Sequence, residues 1–197
     1  MQIDLSKDKQ KIRKYILGRI KNFAKHGSAG PGEDDSPVQA IYLGFYAAQG
    51  GYIYLVFDTR PGFNMDGEWN NHIDEYTMFD LPKWCEFYEK ACEGERVTLI
   101  KDDGKRINIE IAADEDEDEE EDDDDDDDEY DESDFEDELN TYFGTMLTNL
   151  MLELRDDGSL ANLPLAKGAF MVVEEFDGHY FWPVPASCRV TGRILPR

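Results

Sequence analysis

Apolar residues recur with helical period in some parts of the chain and in short strand-like runs in others. At ~100° per residue, Ile12, Tyr15, Ile16, Ile20 and Phe23 share one arc. Lys7, Lys11, Lys14, Lys21 and Lys25 lie on the opposite arc. This predicts an amphipathic helix from a Ser6 cap to about His26, ended by Gly27-Ser28-Ala29-Gly30-Pro31-Gly32. Residues 38–48 and 52–58 are rich in Tyr, Ile, Val and Phe and flank Gln49-Gly50-Gly51, which predicts a hairpin. Apolar character on both faces of these strands predicts a central place in a sheet. A long loop over 59–77 follows.

Asp80 and Pro82 mark the start of a second helix, which Gly94 ends. Leu81, Trp84, Cys85, Tyr88, Ala91 and Cys92 share its apolar face. Residues 96–101 and 105–111 read as strands joined by Asp102-Asp103-Gly104. A capping box at Ser133-Asp134-Phe135-Glu136 opens a third helix reaching about Arg155. Its stripe is Leu139, Tyr142, Phe143, Met146, Leu147, Leu150 and Leu154, with Thr141, Thr145 and Thr148 opposite. Strands over 169–176 and 179–184 flank Asp177-Gly178, a turn signal of type I′. Three hairpins alternating with three helices predict an α+β fold: one antiparallel sheet of about six strands, with the helices mainly on one face.

Charge adds a feature that the periodicity does not show. The 197 residues carry a formal net charge of −26, and 22 of the 25 residues over 114–138 are Asp or Glu. The other 172 residues hold 24 acids and 20 bases. The expected organisation is one domain made of 1–113 and 139–197, interrupted by a disordered acidic insertion at 114–138. The part after the insertion has one helix and one hairpin, too little to bury a core of its own. Within 7–25 the balance is reversed, with eight bases and a single acid, Asp8.

The insertion has three readings: a solvated linker, a polyanion that binds a basic protein, or a tethered anion masking the lysine stripe. In the second reading Asp122, Asp125 and Asp128 represent the charge, and Tyr130 and Phe135 add apolar contact. The third would release the basic helix for nucleic acid only when unmasked. Divalent cations would associate with the tract weakly, since it contains no glycine to enforce a calcium-loop turn.

Candidate chemistry is sparse. No nucleophile elbow, P-loop or His/Cys metal spacing occurs, and no cofactor is expected. Asp58, Asp66, Glu68 and His72 could form an acidic or metal-assisted site, or be ordinary polar positions. Cys85 and Cys92 read as core; Cys188 leaves an odd count that does not suggest a disulfide framework. Trp69 in the long loop, and Tyr180 and Trp182 on one face of a late strand, are candidates for partner contact. The N-terminus has no leader-peptide pattern, and the apolar runs over 41–48 and 53–57 fall well short of the ~20 residues that span a bilayer. A cytoplasmic, soluble protein is expected, with no membrane association.

Gly44-Phe45-Tyr46, Gly67-Glu68-Trp69, Leu81-Pro82-Lys83-Trp84, Asp156-Asp157-Gly158 and Glu174-Glu175-Phe176-Asp177-Gly178 leading to Trp182-Pro183 together resemble small bacterial α+β domains of the immunity type found at polymorphic-toxin loci. The resemblance implies a non-enzymatic binder that neutralises a toxin, such as a basic nuclease. The competing expectations are a hydrolase built around Asp58 and His72, and an acidic solubility or structural protein with no specific partner.

Overall fold

A computed structural model describes residues 1–26, 37–48, 51–59, 78–111 and 132–175. Strand β1 (Gln2–Asp4) runs straight into α1 (Leu5–His26), followed by β2 (Val38–Tyr46), β3 (Tyr52–Asp58) and β4 (Met78–Asp80). Then come α2 (Pro82–Cys92), β5 (Val97–Ile100), β6 (Arg106–Ile109), α3 (Glu132–Asp156), a 3-10 turn (Ser159–Asn162) and β7 (Leu165–Glu175). The class is α+β, but the expected single antiparallel sheet is replaced by two mixed ones. One has the order β1-β5-β6 and the other β4-β3-β2-β7.

Two of the three expected hairpins, β2–β3 and β5–β6, are antiparallel neighbours. Strand β2 takes β7 as its other neighbour, in parallel, with Ile41 opposite Met171 and Leu43 opposite Val173. This explains why β2 is apolar on both faces: it has a neighbour on each side and is buried throughout its centre. The expected partner of β7, over 179–184, lies outside the described residues. The three-residue strands β1 and β4 were not expected, being too short to show a period.

The helix caps also differ from the sequence signals. Asp4, not Ser6, caps α1: its Oδ1 accepts from Ser6 N at 3.1 Å, Ser6 Oγ at 2.7 Å and Lys7 N at 3.4 Å. Because β1 ends at Asp4, the strand-to-helix junction places that carboxylate over the first free amides. Asp80 belongs to β4, and Leu81 precedes α2 without a side-chain cap. Leu81 N instead donates to Gly51 O, 2.5 Å away, fixing the start of α2 to the β2–β3 connection. Gly51 has φ +58°, and a Cβ there would meet the Leu81 carbonyl at 2.6 Å, so only glycine fits.

One core joins all three helices to one face of the four-stranded sheet. Ile12, Ile16 and Ile20 of α1 share it with Ile41, Leu43, Phe45, Ile53 and Leu55, and with Phe143 and Leu147 of α3. On α2 the buried residues are Trp84, Phe87, Tyr88 and Ala91, whereas Cys85 and Cys92 are half-buried rather than core. On α3, Thr141 and Thr145 face outward as expected, but Thr148 is buried. A smaller cluster on the other sheet face centres on Tyr42, Tyr54 and Val172, and no described helix residue joins it.

Two carboxylates that hold turns, the half-buried Asp4 and the exposed Asp157, carry a pH signature. Hydrogen bonding from Ser6, then from Lys7, lowers the Asp4 carboxyl; hydrogen bonds from Ser159, then Arg13, lower Asp157. Depressed carboxyls stabilise the fold fully above their unfolded value of about 3.9 and lose that contribution as pH falls through the folded value. The thermal midpoint should therefore decline below about pH 4, and Asp4→Asn should flatten the decline. Superimposable pH profiles for Asp4→Asn and the parent would contradict the capping role.

Candidate functional site

Helical periodicity brings Lys11, Lys14, Tyr15, Gly18, Arg19 and Asn22 of α1 to one side of the helix, where with Phe79 of β4 they line an open groove of about 520 Å³. The floor is aromatic: the Tyr15 and Phe79 rings stack with centroids 4.9 Å apart and planes at 25°. A Cβ added at Gly18 would meet nothing within 4 Å, so the groove is open over this residue. The rim is cationic.

The predicted lysine stripe is only partly available. Lys7 pairs with Asp4 at 3.2 Å and Lys11 with Asp8 at 2.6 Å. Lys9 and Arg13, which share the helix, are used structurally: Lys9 Nζ meets Glu153 at 2.7 Å and Asp102 at 3.0 Å, while Arg13 pairs with Asp157. Burial works against the Lys9 ammonium, but the bonds to Glu153 and Asp102 more than offset it and raise its pKa. These contacts clamp α1 to α3 and to the β5–β6 turn. Lys14, Arg19 and Lys21 form no ion pair among the described residues, and the buried Arg19 Nε has no hydrogen-bond acceptor there. For Lys25 only the backbone is described.

Lys11 is held from below. Asp8 is 7 % exposed and accepts from Lys11 through Oδ1 and from Trp84 Nε1 through Oδ2, the latter at 3.0 Å. The one acid within 7–25 is thus a buried tie between α1 and α2, and it orients a lysine of the groove.

On the opposite sheet face, Tyr42 donates to Glu174 Oε2 at 2.6 Å, and its oxygen lies 3.1 Å from the Tyr54 hydroxyl. Burial first, then the two neighbours, push the Tyr42 phenol far above the ordinary tyrosine range, so it stays protonated at neutral pH. The arrangement braces the sheet and does not supply a base.

Other candidates fare differently. Asp58 is 6 % exposed at the end of β3, whereas Asp66, Glu68 and His72 lie outside the described residues. So do Trp69, Asp122, Asp125, Asp128, Tyr130, Tyr180 and Trp182. Among the described residues no group of three or more His, Cys, Asp or Glu could hold a metal ion, and no helix is long and apolar enough to cross a membrane. Burial, and then Glu89, push the Cys85 thiol up, which makes it a poor nucleophile.

Gly18, Arg19, Asn22 and Phe79 are the groove residues that sequence reasoning did not single out as candidates. Arg19 was counted among the bases but lies off the lysine arc. Phe79 falls between a long loop and a helix, with only the short run Met78-Phe79-Asp80 to mark it. Compared with family models, curated proteins and solved structures, the chain finds no match.

Proposed function

We propose that this is a non-enzymatic, cytoplasmic interaction protein that engages a basic protein partner through its acidic segment, in the manner of an immunity-type inhibitor. The observation that supports this most directly is how the segment is mounted. Ile111 and Phe135 are both buried in the main core, at 6 % and 0 % exposure. Of the 23 residues between them, 19 are Asp or Glu. The charge is therefore carried between two anchors in one hydrophobic core, with Phe135 stacked on Tyr88 at 5.8 Å.

The second mounting point also suits the charge. Helix α3 takes in the last seven residues of the acidic run, so Asp134, Glu136 and Asp137 occupy the first turns, where the helix dipole favours anions. A dense anionic field of this kind accelerates encounter with a basic surface and disfavours acidic competitors. Occlusion of a cationic site is the mechanism it suits.

The test is a pull-down from native lysate at low salt and at about 0.15 M, where the Debye length is ~8 Å. The full chain is compared with a deletion of 114–131, which stops short of α3. The expected result is a basic protein retained by the full chain and lost with the deletion. Recovery of the same partner by both chains, or of none by either, would overturn the proposal.

A further inference from the structure

The groove on α1 lies on the same protein as the acidic run, and its chemistry is complementary to it. It offers two cations, Lys14 and Arg19, that lack carboxylate partners among the described residues, a third, Lys11, oriented by its pairing with Asp8, an open centre at Gly18, and an aromatic floor. We infer that the groove is a docking site for this chain's own acidic segment, residues 114–131, held by Lys14, Arg19 and Lys11 around Gly18.

Length permits the contact. The 20 residues between Ile111 and Glu132 span at most ~3.3–3.6 Å each when extended, about 70 Å in all. A compact domain of 172 residues has a radius of gyration of about 16 Å. The segment leaves the domain after β6, whose partner strand β5 contacts α1 directly.

Charge decides between a tethered occupant and a free one. A nucleic acid or other free polyanion approaches a chain of net charge −26. The tethered segment is already present at an effective concentration in the millimolar range for a short flexible linker. The free competitor must therefore bind tightly merely to match it. The contact is electrostatic at its rim, so screening releases it as the Debye length falls from ~10 Å at 0.1 M to ~3 Å at 1 M salt.

This inference goes beyond the partner-binding proposal and needs no partner for its test. Amide spectra are recorded for the full chain and for the 114–131 deletion. The Tyr15, Gly18 and Asn22 signals should differ between the two at low salt and converge at about 1 M. A synthetic peptide of residues 114–131 added to the deletion chain should restore the full-chain positions. Gly18→Glu in the full chain places a like charge in open space, where folding is undisturbed, and should move the Tyr15 and Asn22 signals to the deletion positions. Circular dichroism checks that this variant keeps its helices.

Identical Tyr15, Gly18 and Asn22 shifts in the full and deleted chains would overturn the inference. So would a duplex oligonucleotide that binds both chains equally well, since the groove would then be unoccupied. The pull-down can succeed while these spectra fail, or the reverse, so the two ideas stand or fall separately.

Discussion

Trp84→Ala should be among the most damaging single substitutions in the protein, at about 3–5 kcal/mol, the range for truncating a buried aromatic. Trp84 is fully buried, and its ring meets Phe143 edge-on at 4.5 Å, so the cavity would open where α2 packs on α3. The indole also donates to Asp8, and its loss would leave Lys11 as the side-chain donor to that buried carboxylate. Denaturant midpoints at constant slope would measure the loss. Trp84→Phe should fall between parent and alanine, because it keeps most of the volume but removes the bond to Asp8. A hydrogen bond to a charged group contributes roughly 1.5–3 kcal/mol. A loss under about 1 kcal/mol for Trp84→Ala would show that the core closes around the gap, contrary to the usual range. The same substitution bears on the groove, since Asp8 is what holds Lys11 at its rim.

Gly44→Ala should be comparably severe for the opposite reason. Gly44 lies in β2 between Tyr54 of β3 and Glu174 of β7. A Cβ there would overlap the hydroxyl end of the Tyr54 ring, closer than real Cβ contacts come. The ring cannot turn away freely: Tyr54 is 1 % exposed, and its hydroxyl is tied to Tyr42. The strand cannot retreat either, being paired on both sides. Overpacking ordinarily costs about 1–3 kcal/mol, and the top of that range or beyond is expected here. Tyr54→Ala in the same chain should suppress most of the added penalty, giving marked non-additivity in urea midpoints. Additive effects would show that the ring and the glycine do not share the space.

Much of the local architecture was legible in the sequence. Leu139 to Leu154 and Ile12 to Phe23 repeat with helical period strongly enough to place α3 and α1. The β5–β6 turn at Asp102-Asp103-Gly104 carries its own signal. What was hidden is non-local. Strand β7 pairs in parallel with β2, a choice made by burial across the whole sheet, while the nearby Asp177-Gly178 pair points to a local hairpin. Strands β1 and β4 exist because a neighbour supplies hydrogen bonds, and three residues cannot display a period. The basic face of α1 was readable as a stripe, but not the state of each charge. Lys9 and Arg13 find Glu153 and Asp157 across 144 residues of chain, and no spacing rule reports that. Phe79 was missed because its ring acquires meaning only when β4 docks beside Tyr15.

The parallel seam between β2 and β7 also governs when the protein can form. Residues 38–46 must wait for 165–175 before the central strand is covered on both sides. Contacts that distant in sequence slow folding, because a long loop has to close before they contribute. During synthesis the open edge of β2, with its run of Ile, Tyr, Leu and Phe, is the segment most prone to pair wrongly with another chain. The acidic run emerges from the ribosome before β7 does, and it places a strong like charge on every nascent copy during that interval. Repulsion between copies would then guard the unfinished sheet from aggregation, whatever the run binds afterwards. Its length costs little in return, since doubling a flexible loop adds only about 0.6 kcal/mol to closure.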